Sequence, residues 1–204
     1  MHLSWLGNTA IKIQTKPFDQ EVVILIDPYK PSLGSFPRNL TSNIALYSRG
    51  ENESITISGD PFILSAPGEI ETKGVLVTAL QGHEEKDTMF RIDTEDLSVG
   101  HLGLTTKELT DKQLEVLSGI DILLIPISGN DSYDVENAIK VINTIEPRII
   151  IPINYKSDNN PKAEKVEAFL KEMSASDVKP EKKVIIKKKD LPQEETRVVL
   201  LAKE

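Results

Sequence analysis

The 204-residue chain contains no cysteine. That removes disulfides, thiol nucleophiles, iron–sulfur clusters and thiolate zinc sites together. Long apolar runs are missing as well. The longest, such as Ile122 to Ile127, are strand-sized, well short of the ~18 residues a membrane-spanning helix needs. The opening Met1-His2-Leu3-Ser4-Trp5-Leu6-Gly7 has no basic region followed by an apolar stretch, so no secretory signal is read there. Both absences point to the cytoplasm as the expected location. The N-x-Ser/Thr matches at Asn39, Asn52 and Asn130 are then chance. Positive charge is also in deficit: 24 Lys and Arg face 32 Asp and Glu, a net charge of −8. Self-repulsion of that size aids solubility and disfavours phosphate backbones, so neither nucleic acid nor a membrane is an expected partner. The one basic stretch, Lys179 to Lys189 (KPEKKVIIKKK), reads as an edge strand guarded by lysines.

What is present suits one globular domain over residues 1–204, with 39% hydrophobic and 27% charged residues. The first part reads as short strands: Ala10 to Gln14, Val22 to Ile26, Asn43 to Tyr47, Ser54 to Ser58 and Phe62 to Ser65. Pro and Gly cluster from Pro28 to Pro37 and mark a loop. Gly68 to Leu80 reads as a hairpin, and Phe90 to Asp93 and Leu97 to Val99 flank an acidic turn. From Thr110 the period changes. Leu114, Leu117 and Ile120 follow helical spacing, and Thr110 with Gln113 forms a capping-box signature closed by Gly119. Asp121 to Ile127 and Arg148 to Ile153 are continuous apolar strands of the kind buried on both faces. A helix from Asp134 to Pro147 separates them, and a charged helix from Ala163 to Met173 follows. Lys182 to Lys188 and Thr196 to Ala202 supply the last strands. Doubly buried strands need cover on both sides, which favours a layered α/β sandwich over a barrel.

Several phrases resemble those of the metallo-β-lactamase superfamily, in its branch of small Zn-dependent hydrolases related to ascorbate-phosphate lactonase. Trp5-Leu6-Gly7-Asn8-Thr9-Ala10 is similar to that branch's W-L-G-H-S-x opening, and Val23 to Pro28 to its I-L-I-D-P phrase. Pro67 to Val75, His101-Leu102-Gly103-Leu104, Asp121 to Gly129 and Pro147 to Tyr155 resemble further phrases, in family order. The resemblance implies the four-layer αβ/βα sandwich: two mixed sheets packed face to face, helices outside, and a site where strand-end loops converge at one edge.

In that family a H-x-H-x-D-H motif, a later histidine, an aspartate and a final histidine hold two metals, whose bound water becomes hydroxide near neutral pH. Matched by position, Arg49 and Glu51 stand for the first two histidines, Glu53 for the aspartate and Ser54 for the third histidine. A guanidinium has no lone pair to donate and repels a cation. His83 matches the later histidine, Leu104 replaces the bridging aspartate, and Asn154 replaces the final histidine. His101 lies in a matching phrase and is a candidate catalytic group, or a fixer of loop geometry. Only three histidines exist in the chain, too few for a dinuclear zinc site.

Each candidate has a plainer reading: a solvated His83 beside glutamates, and Glu51 and Glu53 in a solvated acidic loop or paired with Arg49. Asp27 and Asp121 read as structural turn and strand-end residues. The expectation is therefore a noncatalytic binding or assembly module with no cofactor, its partner an unidentified small anion or protein, its oligomeric state open. One alternative is a metal-dependent hydrolase of lactones, esters or phosphodiesters with a rebuilt mononuclear site of His83, Glu51, Glu53 and Asn154 holding one divalent ion. A metal-free pairing of Ser48 or Ser54 with His83 is a lesser one. Another is binding of an anion such as a sugar phosphate at a relic site of Arg49, Glu51, Glu53, Ser54 and Asn154, led by the planar fork of Arg49. No G-x-S-x-G elbow, P-loop or H-E-x-x-H motif occurs.

Overall fold

The computed structural model describes all 204 residues. Two mixed sheets carry the chain. The first is formed by β1 (His2–Gly7), β2 (Ala10–Thr15), β3 (Val22–Ile26), β4 (Ile44–Leu46), β5 (Phe62–Leu64) and β12 (Val184–Ile185), in the order β12-β1-β2-β3-β4-β5. The second holds β6 (Gly68–Thr72), β7 (Val75–Gln81), β8 (Thr88–Thr94), β9 (Leu97–His101), β10 (Ile122–Pro126), β11 (Ile149–Ile153) and β13 (Arg197–Val198). Its order is β13-β11-β10-β9-β8-β7-β6: antiparallel from β6 to β9 and parallel from β9 to β13. Three short helices accompany it: α1 (Asp111–Leu117), α2 (Val135–Ile145) and α3 (Val166–Glu172).

The patterns of residue type explain the layers. In β3 the side chains of Val22, Ile24 and Ile26 point to one face and join the main core, while Leu25 points to the other. β10 and β11 are buried at every position, as unbroken runs of Ile and Leu require of strands covered on both sides. Each fully buried Leu, Ile or Val contributes roughly 1.5–3 kcal/mol. α2 turns Ala138, Val141, Ile142 and Ile145 inward and packs on β10, and α1 packs on β7. Gly100 in β9 lets the end of α1 approach: a Cβ there would stand 2.5 Å from Ile120 Cδ1.

The sandwich agrees with the architecture the resemblance implied, with one difference in its outer layers. The α-helices lie with the seven-stranded sheet. Over the outer face of the six-stranded sheet, Leu6, Ala10 and Leu25 are instead covered by loop residues Phe36, Leu40, Ile55 and Ile57. This corrects the reading of Ser54 to Ser58 as a strand. Its β-branched residues dock on a sheet face, and only isolated bridges, Tyr29 with Ser54 and Thr41 with Ser58, form. The helix from Asp134 ends at Ile145, before Pro147, because Glu146 takes a left-handed conformation (φ 52°). The basic stretch near the C-terminus does form the outermost strand, β12, beside β1.

Candidate functional site

Loops from both sheets meet at one edge of the sandwich, beyond the C-terminal ends of β4, β9, β10 and β11. Asp27, just after β3, organises the first part. Its buried carboxylate accepts from the Ser48 N–H and the Ser48 hydroxyl, both at 2.6 Å. Asp27 is also held at φ 50°, a costly conformation for a non-glycine residue that its hydrogen bonds stabilise. Gly103, at φ 65°, packs against the same serine; a Cβ there would stand 3.2 Å from Ser48 Cβ and from the Thr88 carbonyl. The Thr88 N–H in turn donates to Ser48 O at 2.8 Å. Ser48 is therefore a buried brace between loops, and its hydroxyl donates to Asp27 and makes no hydrogen bond to His83.

His101 is wholly buried at the end of β9. Its Nε2–H donates to Thr9 O at 2.9 Å, and its Nδ1 accepts from the Gly103 N–H at 3.2 Å. These partners select the Nε2–H tautomer. Burial holds its pKa below the ordinary 6.5, against an upward pull from Asp27 and Thr9. Both nitrogens are engaged, so the ring positions loops and has no lone pair for a metal.

The remaining predicted residues do not converge as a ligand set. Asn154, also buried, sits after β11 at φ 56°. Its Nδ2 donates to Asp131 Oδ1 at 3.2 Å, its Oδ1 accepts from Asn160 Nδ2 at 3.2 Å, and its N–H donates to Asn8 O at 3.0 Å. Glu51 accepts from Ser65 Oγ at 2.8 Å. Glu53 is exposed at φ 63°, its carbonyl taken by the Lys30 N–H. Ser54 donates its N–H to Glu51 O and bridges to Tyr29. Leu104 offers no donor. No group of three or more His, Asp or Glu side chains is gathered as a metal ion requires.

Two plainer readings are corrected. Arg49 pairs with no glutamate; its guanidinium lies 4.8 Å from the centroid of the Tyr29 ring, and its backbone N–H donates to the Tyr29 hydroxyl at 2.9 Å. An aromatic face next to an exposed loop competes well with a solvated carboxylate. His83 is not simply solvated. It is half-buried, its Nε2 is shielded without a hydrogen-bond partner, and its pKa is lowered by burial and then by Lys107. Lys107 itself pairs with Glu84 at 2.6 Å.

Tyr29, Asp131 and Lys86 escaped the sequence reading. Asp131 lies in the Ser128–Ser132 turn, where it accepts from Ser128 Oγ at 2.6 Å. Nothing local marks it as a neighbour of Asn154, because the two are joined only by the parallel pairing of β10 with β11.

Residues 2–154 match the family model of the beta-lactamase superfamily domain. The chain belongs to the beta-lactamase superfamily. Over 66 residues it is 38% identical to a protein from Carboxydothermus hydrogenoformans named UPF0173 metal-dependent hydrolase, covering 30% of this chain and 29% of that protein. That match spans less than a third of the relative's own length. A protein of the same name from Methanopyrus kandleri is 21% identical over 197 residues, covering 76% of this chain and 84% of the relative. The crystal structure of a Thermotoga maritima protein, described as a Zn-dependent hydrolase of the metallo-beta-lactamase superfamily, superposes with a TM-score of 0.82 at 24% identity. It covers 98% of each chain. The fold of this superfamily member is thus the metallo-β-lactamase fold. The dinuclear zinc that the family implies finds no ready ligand set at this edge, where no three His, Asp or Glu side chains are gathered and the donors of His101 and Asn154 are engaged in hydrogen bonds.

Proposed function

We propose that this chain is a noncatalytic binding module built on a hydrolase fold. The supporting observation is the donor set. The buried imidazole of His101 has both nitrogens engaged, Asn154 is committed on both sides of its amide, and no three His, Asp or Glu side chains are gathered. A divalent ion at a hydrolytic site needs several lone pairs aimed at one point and an open position for water. This edge supplies instead a fixed, hydrogen-bonded floor under exposed loops. The experiment is an elemental metal count on purified protein, with and without zinc loading. Substoichiometric zinc in both samples is expected, and a full equivalent retained through gel filtration overturns the proposal.

The relatives' names, metal-dependent hydrolase, favour a second reading, in which this chain is such a hydrolase and its substrate is a lactone, ester or phosphodiester. It requires His83, Glu51, Glu53 and Asn154 to rearrange around one divalent ion, and the shielded, unpartnered Nε2 of His83 is the feature that favours it. Under this reading a divalent ion raises hydrolysis of a model ester, and His83→Ala abolishes the increase. Hydrolysis indifferent to both chelator and substitution rejects it.

A further inference from the structure

The loop after β4, the β5–β6 turn and the β7–β8 turn enclose a cavity of about 280 Å³ lined by Arg49, Asn52, Ser65, Glu85, Lys86 and Thr88 among others. That is near the lower end of the ~300–1,000 Å³ typical of small-molecule sites. Neither Arg49 nor Lys86 takes part in any ion pair of the molecule, although carboxylates outnumber cations 32 to 24. Arg49 is nonetheless held in place. Its guanidinium lies over the Tyr29 ring, the Tyr29 hydroxyl accepts the Arg49 backbone N–H, and that hydroxyl donates to Gly50 O at 2.8 Å. A stacked guanidinium keeps its in-plane donors free for a planar partner. The facing turn is fixed as well, since Thr88 is tied to Ser48 and Ser48 to Asp27.

Two cations, Arg49 and Lys86, and one carboxylate, Glu85, line the cavity on a chain of charge −8. Glu51, bonded to the lining residue Ser65, offsets one of these cations and so disfavours a polyanion. We propose that this cavity binds a small molecule through a single terminal oxyanion, carboxylate or phosphate, gripped by the Arg49 fork and the Lys86 ammonium. The proposal deepens the reading of the chain as a binding module and rests on it.

The test is calorimetric titration of the full chain, treated with chelator, with inorganic phosphate and separately with acetate at low ionic strength. Saturation by phosphate alone assigns a phosphate head and saturation by acetate alone a carboxylate head; either supports the site. Arg49→Ala weakens binding about tenfold or more, as expected for loss of a charge-assisted bidentate pair. Arg49→Lys stays weak because an ammonium lacks the fork. Lys86→Ala weakens binding several-fold, and Lys112→Ala, on α1, leaves it unchanged. Far-UV circular dichroism confirms that each variant is folded. Absence of saturation by either anion, or binding unchanged in Arg49→Ala and Arg49→Lys, overturns the site. Anion binding that appears only with zinc and ignores Arg49 overturns both this site and the binding-module reading. A full equivalent of zinc together with Arg49-dependent binding in chelator-treated protein overturns only the latter.

Discussion

His101 illustrates how a single residue at a hydrolase-fold edge can serve the scaffold. Its imidazole is buried and neutral, donating to Thr9 and accepting from Gly103, and it joins the β1–β2 turn to the end of β9. Its folded-state pKa lies below the ordinary 6.5 because burial penalises the charged form. The unfolded chain therefore binds the proton more readily. The contribution of neutral His101 is fully present above the unfolded value and is lost as pH falls from there toward the folded value. Urea denaturation at about pH 7.5 and about pH 5 is expected to show lower stability at the acidic value. In His101→Asn the stability at neutral pH falls and the slope between the two becomes shallower. It does not vanish, because His2 and His83 are shifted the same way. An unchanged slope would remove His101 from this role. A buried partnered histidine and a metal-binding histidine look alike in sequence, so only their neighbours separate them.

Among the elements, the short helix α1 was the most legible. Thr110 accepts from the Gln113 N–H at 3.4 Å, and the Gln113 side chain accepts from the Thr110 N–H at 2.9 Å, closing the reciprocal cap that the spacing predicts. Gln113 Nε2 also donates to Gln81 O, fastening the helix to the end of β7. Thr110→Ala is expected to cost about 1 kcal/mol, read as a lower midpoint in a urea melt; an unchanged midpoint would show that the cap is dispensable. β10 and β11 were equally legible, since only doubly covered strands carry such apolar runs. β1 was not. Ser4 interrupts its apolar residues, yet His2 to Gly7 is almost entirely buried because β2 pairs along one side and β12 along the other. β2 is its neighbour in the chain, but β12, which covers its other side, lies nearly the whole chain away.

For the molecule as a whole, the last residues close both sheets. β12 is the outermost strand of one sheet and β13 of the other, and Val184, Ile186, Leu191, Val198, Leu200 and Leu201 are all buried. The ring of Tyr155 packs against Trp5 with centroids 4.4 Å apart, and its hydroxyl donates to Leu201 O, so the C-terminal segment also ties the two sheets together. Removing residues 179–204 would leave β1 and β11 as bare edges and uncover their apolar partners, a known route to aggregation. The truncated chain is expected to sediment as aggregate, whereas a monodisperse species of monomer mass would contradict this role. The lysines flanking β12 mark it locally as an edge strand, but which strand each terminal segment joins is not marked, because each pairs over only two residues.

By itself the sequence determined the layered α/β class and the family phrases. Those follow from residue identity and short-range periodicity, which need no partner to be read. Tertiary structure decided what Arg49, Ser48 and His101 do. Stacking of Arg49 on Tyr29, commitment of Ser48 to Asp27 and enclosure of His101 between Thr9 and Gly103 depend on loops brought together by sheet pairing. Hydrogen bonding and burial are properties of neighbours in space, and neighbours at such separations leave no periodic trace along the chain.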